Sequence, residues 1–185
     1  MSRGGVRIPK NRFLVATLLA LIVGTRSVQA QTDDTGLLRA CKSQITAKFK
    51  QWRLAPISKE VAEAARNSHE NPTMVSGDFD ADKRRDVALL IQDGPSPDSD
   101  YPGRLDSMHI AVCLNTADRV QLHLIDKPYC GDGIALAPKG RAYYDFTTEQ
   151  EGVYEFDGIS AYCFEKAGAT YEFGNGTFRP IVDSD

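Results

Sequence analysis

The sequence lacks the short motifs that mark the common enzyme classes. It contains no Gly-x-Ser-x-Gly turn for a nucleophilic serine, no His-Glu-x-x-His helix for a catalytic zinc ion and no glycine-rich phosphate loop. Acidic pairs such as Glu149 with Glu151 would suit glycoside hydrolysis, but a chain with 25% charged residues contains such pairs by chance. These absences favour a non-enzymatic protein, and a small secreted hydrolase acting on cell-wall or carbohydrate material is the alternative.

A surplus of basic residues is also missing. The whole chain has 22 Lys and Arg against 25 Asp and Glu, a formal net charge of −3. The first 30 residues contain five of the basic residues and none of the acidic ones, so the remaining chain has 17 against 25 and a net charge of −8. A general nucleic-acid-binding protein needs a basic surface, and we therefore expect no nucleic acid among the partners.

The N-terminus has the pattern of a cleavable signal peptide. A basic start is followed by twelve residues at 13–24 that are apolar except for Thr17, and then by small residues at 28–30, where a signal peptidase cuts. Twelve residues form about 18 Å of helix, short of the roughly 30 Å hydrocarbon core of a bilayer. The sequence therefore predicts a periplasmic or secreted protein whose mature chain begins at Gln31 and contains no membrane span.

The periodicity of apolar residues in the mature chain predicts two helices followed by strands. Apolar residues recur at helical spacing from Leu37 to Trp52, and a second helix begins near Ser58, a good N-cap, and ends before Asn71. From Thr73 onward, short apolar runs alternate with turn residues, which is typical of β-strands. The predicted fold class is α+β, with two N-terminal helices packed on a mainly antiparallel β-sheet.

The length of the chain limits its domain organisation. The mature part is long enough for one hydrophobic core and too short for two ordinary domains. We expect a signal peptide at 1–30, a polar leader at 31–36 and a single α+β domain at 37–185.

Four cysteines are present, and none of them forms a Cys-x-x-Cys pair. They are Cys41, Cys113, Cys130 and Cys163. An even number in an exported protein predicts two disulfides, and buried free thiols are the alternative. Three pairings are possible and the sequence does not choose among them; we favour Cys41 with Cys113, joining helix to sheet, and Cys130 with Cys163, joining a loop to a late strand.

Residues 108–114 and 120–124 alternate in polarity and predict a hairpin with one apolar face. Matching the apolar faces places His109 opposite Ile125 and makes His109 a diagonal neighbour of His123 on the polar face. Three metal-binding side chains would then share that face, His109, His123 and Cys113. They form a candidate second site, for zinc, although no fourth ligand is placed and oxidation would consume the thiol.

The most informative segment is 77–91, in which four aspartates precede a run of apolar residues. The aspartates occupy positions 1, 3, 5 and 9 of a loop, as Asp78, Asp80, Asp82 and Asp86. Alternate residues of a tight loop can turn their side chains toward one cation, and Ca²⁺ takes six to eight oxygen ligands. Aspartates also occur in turns for their hydrogen bonding alone, but the regular spacing favours a calcium loop that leads into a strand.

An acidic loop at 93–104 follows that strand. Its residues Asp93 and Asp98 are candidate additional ligands for the calcium loop, and a plain surface connection is the favoured interpretation.

Residues 77–88 resemble the aspartate-rich signature of FG-GAP and VCBS repeats, Gly-Asp-Phe-Asp/Asn-Gly-Asp-Gly-x-x-Asp-hydrophobic-Ala, which binds calcium in those families. The resemblance implies side-chain ligation by Asp78, Asp80, Asp82 and Asp86, and a backbone carbonyl ligand from Arg84. The signature occurs once, so the resemblance does not extend to the propellers that such repeats build. The segment at 157–167 is similar to one in small exported bacterial proteins that carry a single such loop and have no assigned activity.

Two positions depart from that signature. Ala81 and Lys83 replace glycines, and glycine permits the sharp turn that an oxygen-ligand loop needs. Lys83, Arg84 and Arg85 also set three cations against four carboxylates, which leaves the loop at −1. Either the site is weak, or the turn keeps its shape without a metal ion.

These features together predict an exported, calcium-binding accessory or binding module, inhibitor-like or envelope-associated, in which the calcium is structural. Its partner is an unknown protein or glycan. Aromatic residues of the late strands offer a surface on which a sugar can stack, but strand aromatics more often fill a half-buried sheet surface.

Overall fold

The computed structural model describes residues 34–94, 104–164 and 166–184. The predicted signal peptide at 1–30, the first three residues of the predicted leader and Asp98 lie outside these ranges. Strands account for 45% of the described residues and helices for 20%. The predicted α+β class is therefore wrong, because the described part of the chain is mostly β-sheet.

The first helix, α1, comprises Asp34–Lys48 and so begins within the predicted leader. It buries Leu37, Cys41 and Ile45, which are four residues apart and lie on one face. The predicted extension of this helix to Trp52 is wrong, because Trp52 opens the first strand, β1, at Trp52–Leu54. The half-buried indole of Trp52 still packs against the apolar cluster that α1 contacts. Trp52 therefore continues the helical spacing of apolar residues in the sequence, although it lies in β1.

The second helix, α2, comprises Lys59–Ser68 and follows the predicted N-cap. The Oγ atom of Ser58 accepts a hydrogen bond from the backbone N–H of Val61, at 3.2 Å. The helix ends at His69, whose left-handed backbone has a φ of 58° and whose N–H donates to the carbonyl of Ala65. Val61 and Ala65 are buried. Neither belongs to the two apolar clusters found among the described residues, one on the α1 side of the main sheet and one on its other side.

The described ranges contain ten further strands. They are β2 (Met74–Gly77), β3 (Asp86–Asp93), β4 (Met108–Asn115), β5 (Val120–Asp126), β6 (Gly133–Ala137), β7 (Ala142–Asp145), β8 (Gln150–Val153), β9 (Gly158–Tyr162), β10 (Gly168–Gly174) and β11 (Thr177–Ser184). All pairs are antiparallel. Sheet A has the order β1-β3-β4-β5, with β2 also paired to β3; sheet B has the order β11-β10-β9-β6; sheet C is the hairpin β7-β8.

Sheet A lies between helix α1 and sheet B and is buried on both faces. On one face Val87, Leu89 and Ile91 of β3 pack with the buried residues of α1. On the other face Leu90, Ile110 and Val112 pack with residues of sheet B, which are Ile134, Ile159, Ala161, Ala169 and Tyr171. A second sheet therefore covers the face that the α+β prediction left to helices or solvent.

The β4–β5 hairpin has a register one residue away from the predicted one. His109 pairs with Asp126 rather than with Ile125, and Val112 pairs with His123. Because side chains alternate between faces, this shift places His109 on the face toward α1 and His123 on the face toward sheet B. The predicted proximity of His109 and His123 is therefore wrong.

Two disulfides join these elements, as the cysteine count predicts. Cys41 of α1 is bonded to Cys113 of β4, and Cys130 is bonded to Cys163 after β9, which is the favoured pairing. Disulfides persist in oxidising compartments, so the pair indicates an extracytoplasmic environment. Within the described residues, no helix has the length and apolar composition to cross a membrane.

Candidate metal centre

The aspartate loop connects β2 to β3 and is shaped by hydrogen bonds from its own backbone. Asp78 Oδ2 accepts from the N–H of Lys83 at 3.1 Å, Asp80 Oδ1 from Asp82 at 3.2 Å, and Asp82 Oδ1 from Arg84 at 2.8 Å. These local bonds are the turn chemistry typical of aspartate. They hold the loop in a curled form, in which Asp78 and Asp80 lie close to Asp86.

Two anchors fix the loop to the protein. The Phe79 side chain is fully buried in the apolar cluster between the sheets. The buried Asp86 carboxylate accepts the N–H of Phe79 at 2.9 Å through Oδ2 and the N–H of Asn115 at 2.7 Å through Oδ1. Asp86 therefore ties the loop to the end of β4, and its position cannot change without disturbing the core.

A third anchor comes from Asp157, which precedes β9 of sheet B. Its Oδ2 accepts the N–H of Asp78 and its Oδ1 accepts the N–H of Lys139, both at 3.0 Å. Gly77 permits this approach, since a Cβ there would lie 3.1 Å from Asp157 Oδ2 and 2.8 Å from the Phe79 ring. Sequence analysis missed this role because Asp157 is 79 residues from Asp78 and carries no local signal.

The loop gathers three carboxylates that can hold a metal ion. Ligand atoms of Asp78, Asp80 and Asp86 all lie within 4.8 Å of one another. Asp78 Oδ1 is buried and has no hydrogen-bond partner. A buried carboxylate oxygen without a donor is costly, and a cation among the three carboxylates would remove that cost.

The electrostatics of the cluster also favour a cation. Burial raises the pKa of Asp86 to about 7, against the lowering effect of the N–H groups of Asn115 and Phe79, and the charges of Asp80 and Asp82 raise it further. Burial likewise raises the pKa of Asp80, with added repulsion from Asp82 and Asp78. A positive charge among these groups would reverse both shifts.

The remaining predicted ligand side chain, Asp82, is not part of the three-carboxylate group. Its Oδ1 accepts the N–H of Arg84, and its Oδ2 lies 3.5 Å from the guanidinium of the same residue. Arg85 points away to an exposed ion pair with Asp34 of α1, at 3.2 Å. Two of the three loop cations are thus paired outside the carboxylate group.

The two departures from glycine lie where the backbone is left-handed. Ala81 has a φ of 61° and Lys83 a φ of 68°. These are the positions at which the FG-GAP and VCBS signature has glycine, and the left-handed region costs other residues energy. Ala81 and Lys83 therefore occupy backbone that favours glycine, at a cost in backbone strain.

The other predicted metal ligands that the structure describes are not part of this three-carboxylate group. Asp93 is at the opposite end of β3 from Asp86, and its carboxylate lies near His109. His123 packs on the rings of Phe173 and Phe178, with ring centroids 5.3 and 6.2 Å away. Cys113 is in a disulfide, so the predicted His109, His123 and Cys113 zinc site does not form.

No family model, curated protein or solved structure matches the chain. The resemblance to FG-GAP and VCBS repeats therefore rests on the sequence of residues 77–88 alone and stays a prediction.

Proposed function

We propose that this protein is an exported binding module whose aspartate loop binds calcium as a structural ion. The observation that carries the proposal is the group of three carboxylates, Asp78, Asp80 and Asp86, with the buried Asp78 Oδ1 lacking a donor. An all-oxygen group of this kind suits a hard cation, and calcium accepts irregular oxygen coordination whereas magnesium demands a near-ideal octahedron.

The proposed role of the ion is to join the two sheets. The loop leaves sheet A at Gly77, is held by Asp157 of the sheet B side and re-enters sheet A at Asp86. An ion bound to Asp78 and Asp86 would neutralise the repulsion between these carboxylates and fix the backbone that Asp157 holds. The expected consequence is a more stable protein rather than a catalytic step.

Exposed apolar side chains support the binding part of the proposal. Tyr144, Phe146 and Val153 of the sheet C hairpin are 41%, 47% and 57% exposed. The rings of Tyr144 and Phe146 contact each other edge to face, at 5.1 Å between centroids. Clustered apolar groups on a surface are typical of interaction sites, and the partner would be a protein or a glycan.

Thermal unfolding in calcium and in chelator tests the calcium site. A ligand present at 100 times its dissociation constant stabilises the native state by about 2.7 kcal/mol. For a chain of this size we expect calcium to raise the Tm by roughly 5–10 °C. Asp80→Asn should abolish that rise and still fold in chelator, because the asparagine oxygen can accept the Asp82 N–H without carrying a charge.

The matched control is Asp118→Asn, which removes the charge of an exposed aspartate in the β4–β5 turn. This variant should respond to calcium as the parent does. A Tm that calcium leaves unchanged in the parent, or raises equally in Asp80→Asn, would show that the aspartates serve only the turn.

The mass of the protein exported by an expressing bacterium tests the signal peptide, since cleavage should leave Gln31 as the first residue.

A further inference from the structure

The β7–β8 hairpin of sheet C has one covered edge and one free edge. On the covered side, the N–H of Phe146, just after β7, donates to the carbonyl of Val182 in β11 at 2.8 Å. On the other side, β8 pairs with β7 alone among the described residues, and its residues Gln150, Glu151 and Val153 are exposed. A hairpin of two strands is marginally stable by itself, and a third strand on the free edge of β8 would extend it.

A hydrogen bond at the base of the hairpin shows which backbone groups of β8 face the free edge. The N–H of Tyr154 donates to the carbonyl of Arg141 at 3.0 Å. Hydrogen-bonded and non-hydrogen-bonded pairs alternate along an antiparallel ladder, so the N–H and C=O groups of Glu151 and Val153 point away from β7. A row of such groups on an exposed edge is a template for an added strand.

The two faces of the hairpin differ in what covers them. On the inner face the Tyr143 ring lies over Gly152, where a Cβ would be 2.5 Å from Cζ of the ring, and its centroid is 4.8 Å from that of the buried Tyr154. The outer face consists of two cross-strand pairs, Tyr144 with Glu151 and Ala142 with Val153. A strand added beside β8 would therefore meet one carboxylate and one valine on this face, two residues apart.

The surroundings of the hairpin are acidic. Within the described part of the chain, the groove beside it has a volume of about 700 Å³ and is lined by the carboxylates of Glu151 and Asp183 but by no lysine or arginine. Burial raises the pKa of Tyr143, and three negative charges raise it further, those of Glu172, Asp145 and Glu155. A negative field of this kind favours a partner with positive charge.

We propose that the free edge of β8 binds an extended, basic segment of a partner protein as a third, antiparallel strand of sheet C. The segment would have an apolar residue opposite Val153 and, two residues later, a lysine or arginine opposite Glu151. A second copy of this chain fits less well, because its own β8 would bring a second Glu151 to the same four-residue edge. The inference rests on the binding part of the proposed function, selects a protein rather than a glycan and does not depend on calcium.

A labelled peptide tests the proposal by fluorescence anisotropy, with Val-Thr-Arg at the centre of a threonine sequence. It should bind saturably to the protein, and glutamate in place of its arginine should weaken binding by about tenfold or more. N-methylation of its valine or its arginine, whose N–H groups would face β8, should weaken binding by about tenfold or more. N-methylation of the central threonine, whose N–H would face away, should leave binding unchanged.

Variants of β8 test the same alternation from the side of the protein. Val153→Pro removes an N–H that does not bond to β7, so the hairpin should still fold and the peptide should bind about tenfold more weakly or worse. Val153→Thr keeps that N–H and should bind within about threefold of the parent. Glu151→Gln should weaken binding by about threefold, as expected for an exposed ion pair, whereas Glu149→Gln, in the turn before β8, should have no effect.

Absence of peptide binding would overturn the proposal, as would equal effects of N-methylation at the facing and central positions, or a folded Val153→Pro that binds as the parent does. Cellohexaose binding that Tyr144→Ser abolishes, without peptide binding, would assign the face to a glycan. A dimer that Val153→Pro dissociates would assign the edge to a second copy. If Val153→Pro does not fold, the N-methylated peptides decide the question on the parent. The Tm in calcium and in chelator, measured on the same samples, tests the calcium site separately, so that failure of one proposal is distinguished from failure of the other.

Discussion

Replacing Ala81 by glycine should stabilise the protein, although the change removes a methyl group. Ala81 is exposed and has a φ of 61°, so its side chain adds strain without packing in the core. The left-handed backbone costs a non-glycine residue roughly 1–2 kcal/mol. Glycine also makes the unfolded chain more flexible, which costs about 0.4–1 kcal/mol. The net expectation for Ala81→Gly is a gain of about 0.5–1 kcal/mol in the free energy of unfolding.

The matched control is the same chemical change in a helix. Ala64 lies in the middle of α2, where glycine is less favourable than alanine by about 0.8–1.0 kcal/mol. Urea unfolding in chelator should therefore show opposite signs for Ala81→Gly and Ala64→Gly, with a difference of about 1.5–2 kcal/mol. If Ala81→Gly destabilises the protein as much as Ala64→Gly does, the loop backbone is not strained, and the account of its departures from glycine fails.

Two further predictions concern Asp86 and the first disulfide. In chelator the Asp86 carboxyl ¹³C resonance should titrate with a pKa of about 7. The contribution of Asp86 to the free energy of unfolding is fully present below the ordinary pKa of 3.8 and should be lost as the pH rises through 7. Calcium should move the titration to lower pH, and a pKa near 4 in chelator would contradict the burial argument. Replacing Cys41 and Cys113 together by alanine removes a disulfide that spans a sequence separation of 72, and should lower the free energy of unfolding by about 4 kcal/mol. The reason is that the disulfide restricts the unfolded chain to a closed loop. A loss below about 1 kcal/mol in urea unfolding would show that this restriction is not what stabilises the protein.

Local features of the sequence predicted the aspartate loop and the N-cap of α2. The spacing of Asp78, Asp80 and Asp86 depends on the geometry of one short turn, and the carboxylates do converge there. The N-cap is also local, because Ser58 Oγ accepts a hydrogen bond from the backbone N–H of Val61, three residues further along the chain. The contribution of Asp157 could not be predicted in this way, because it depends on how sheet B is placed beside the loop.

The fold class was predicted incorrectly because it depends on what covers each face of a sheet. In β3 every residue from Asp86 to Gln92 is buried, so the strand has no polar face. The sequence pattern of β4, in contrast, suggested one apolar face and one polar face, since His109, Ala111 and Cys113 are small or polar. Ala111 and Cys113 are in fact buried beneath α1, the latter because it is bonded to Cys41.

The same misjudged burial of the sheet faces led to the wrong register for the β4–β5 hairpin, and so to the wrong positions for His109 and His123. With both faces of the sheet buried, matching of apolar faces no longer selects between registers that differ by one residue. The observed register separates the two histidines, so that His123 joins aromatic residues of sheet B while His109 meets Asp126 and Asp93. The His109 cluster is at the Asp93 end of β3 and the aspartate loop is at the Asp86 end, about 23 Å apart at 3.3 Å per residue. Because the two clusters are so far apart and share no residue, Asp93→Asn should leave the calcium-dependent rise in Tm unchanged.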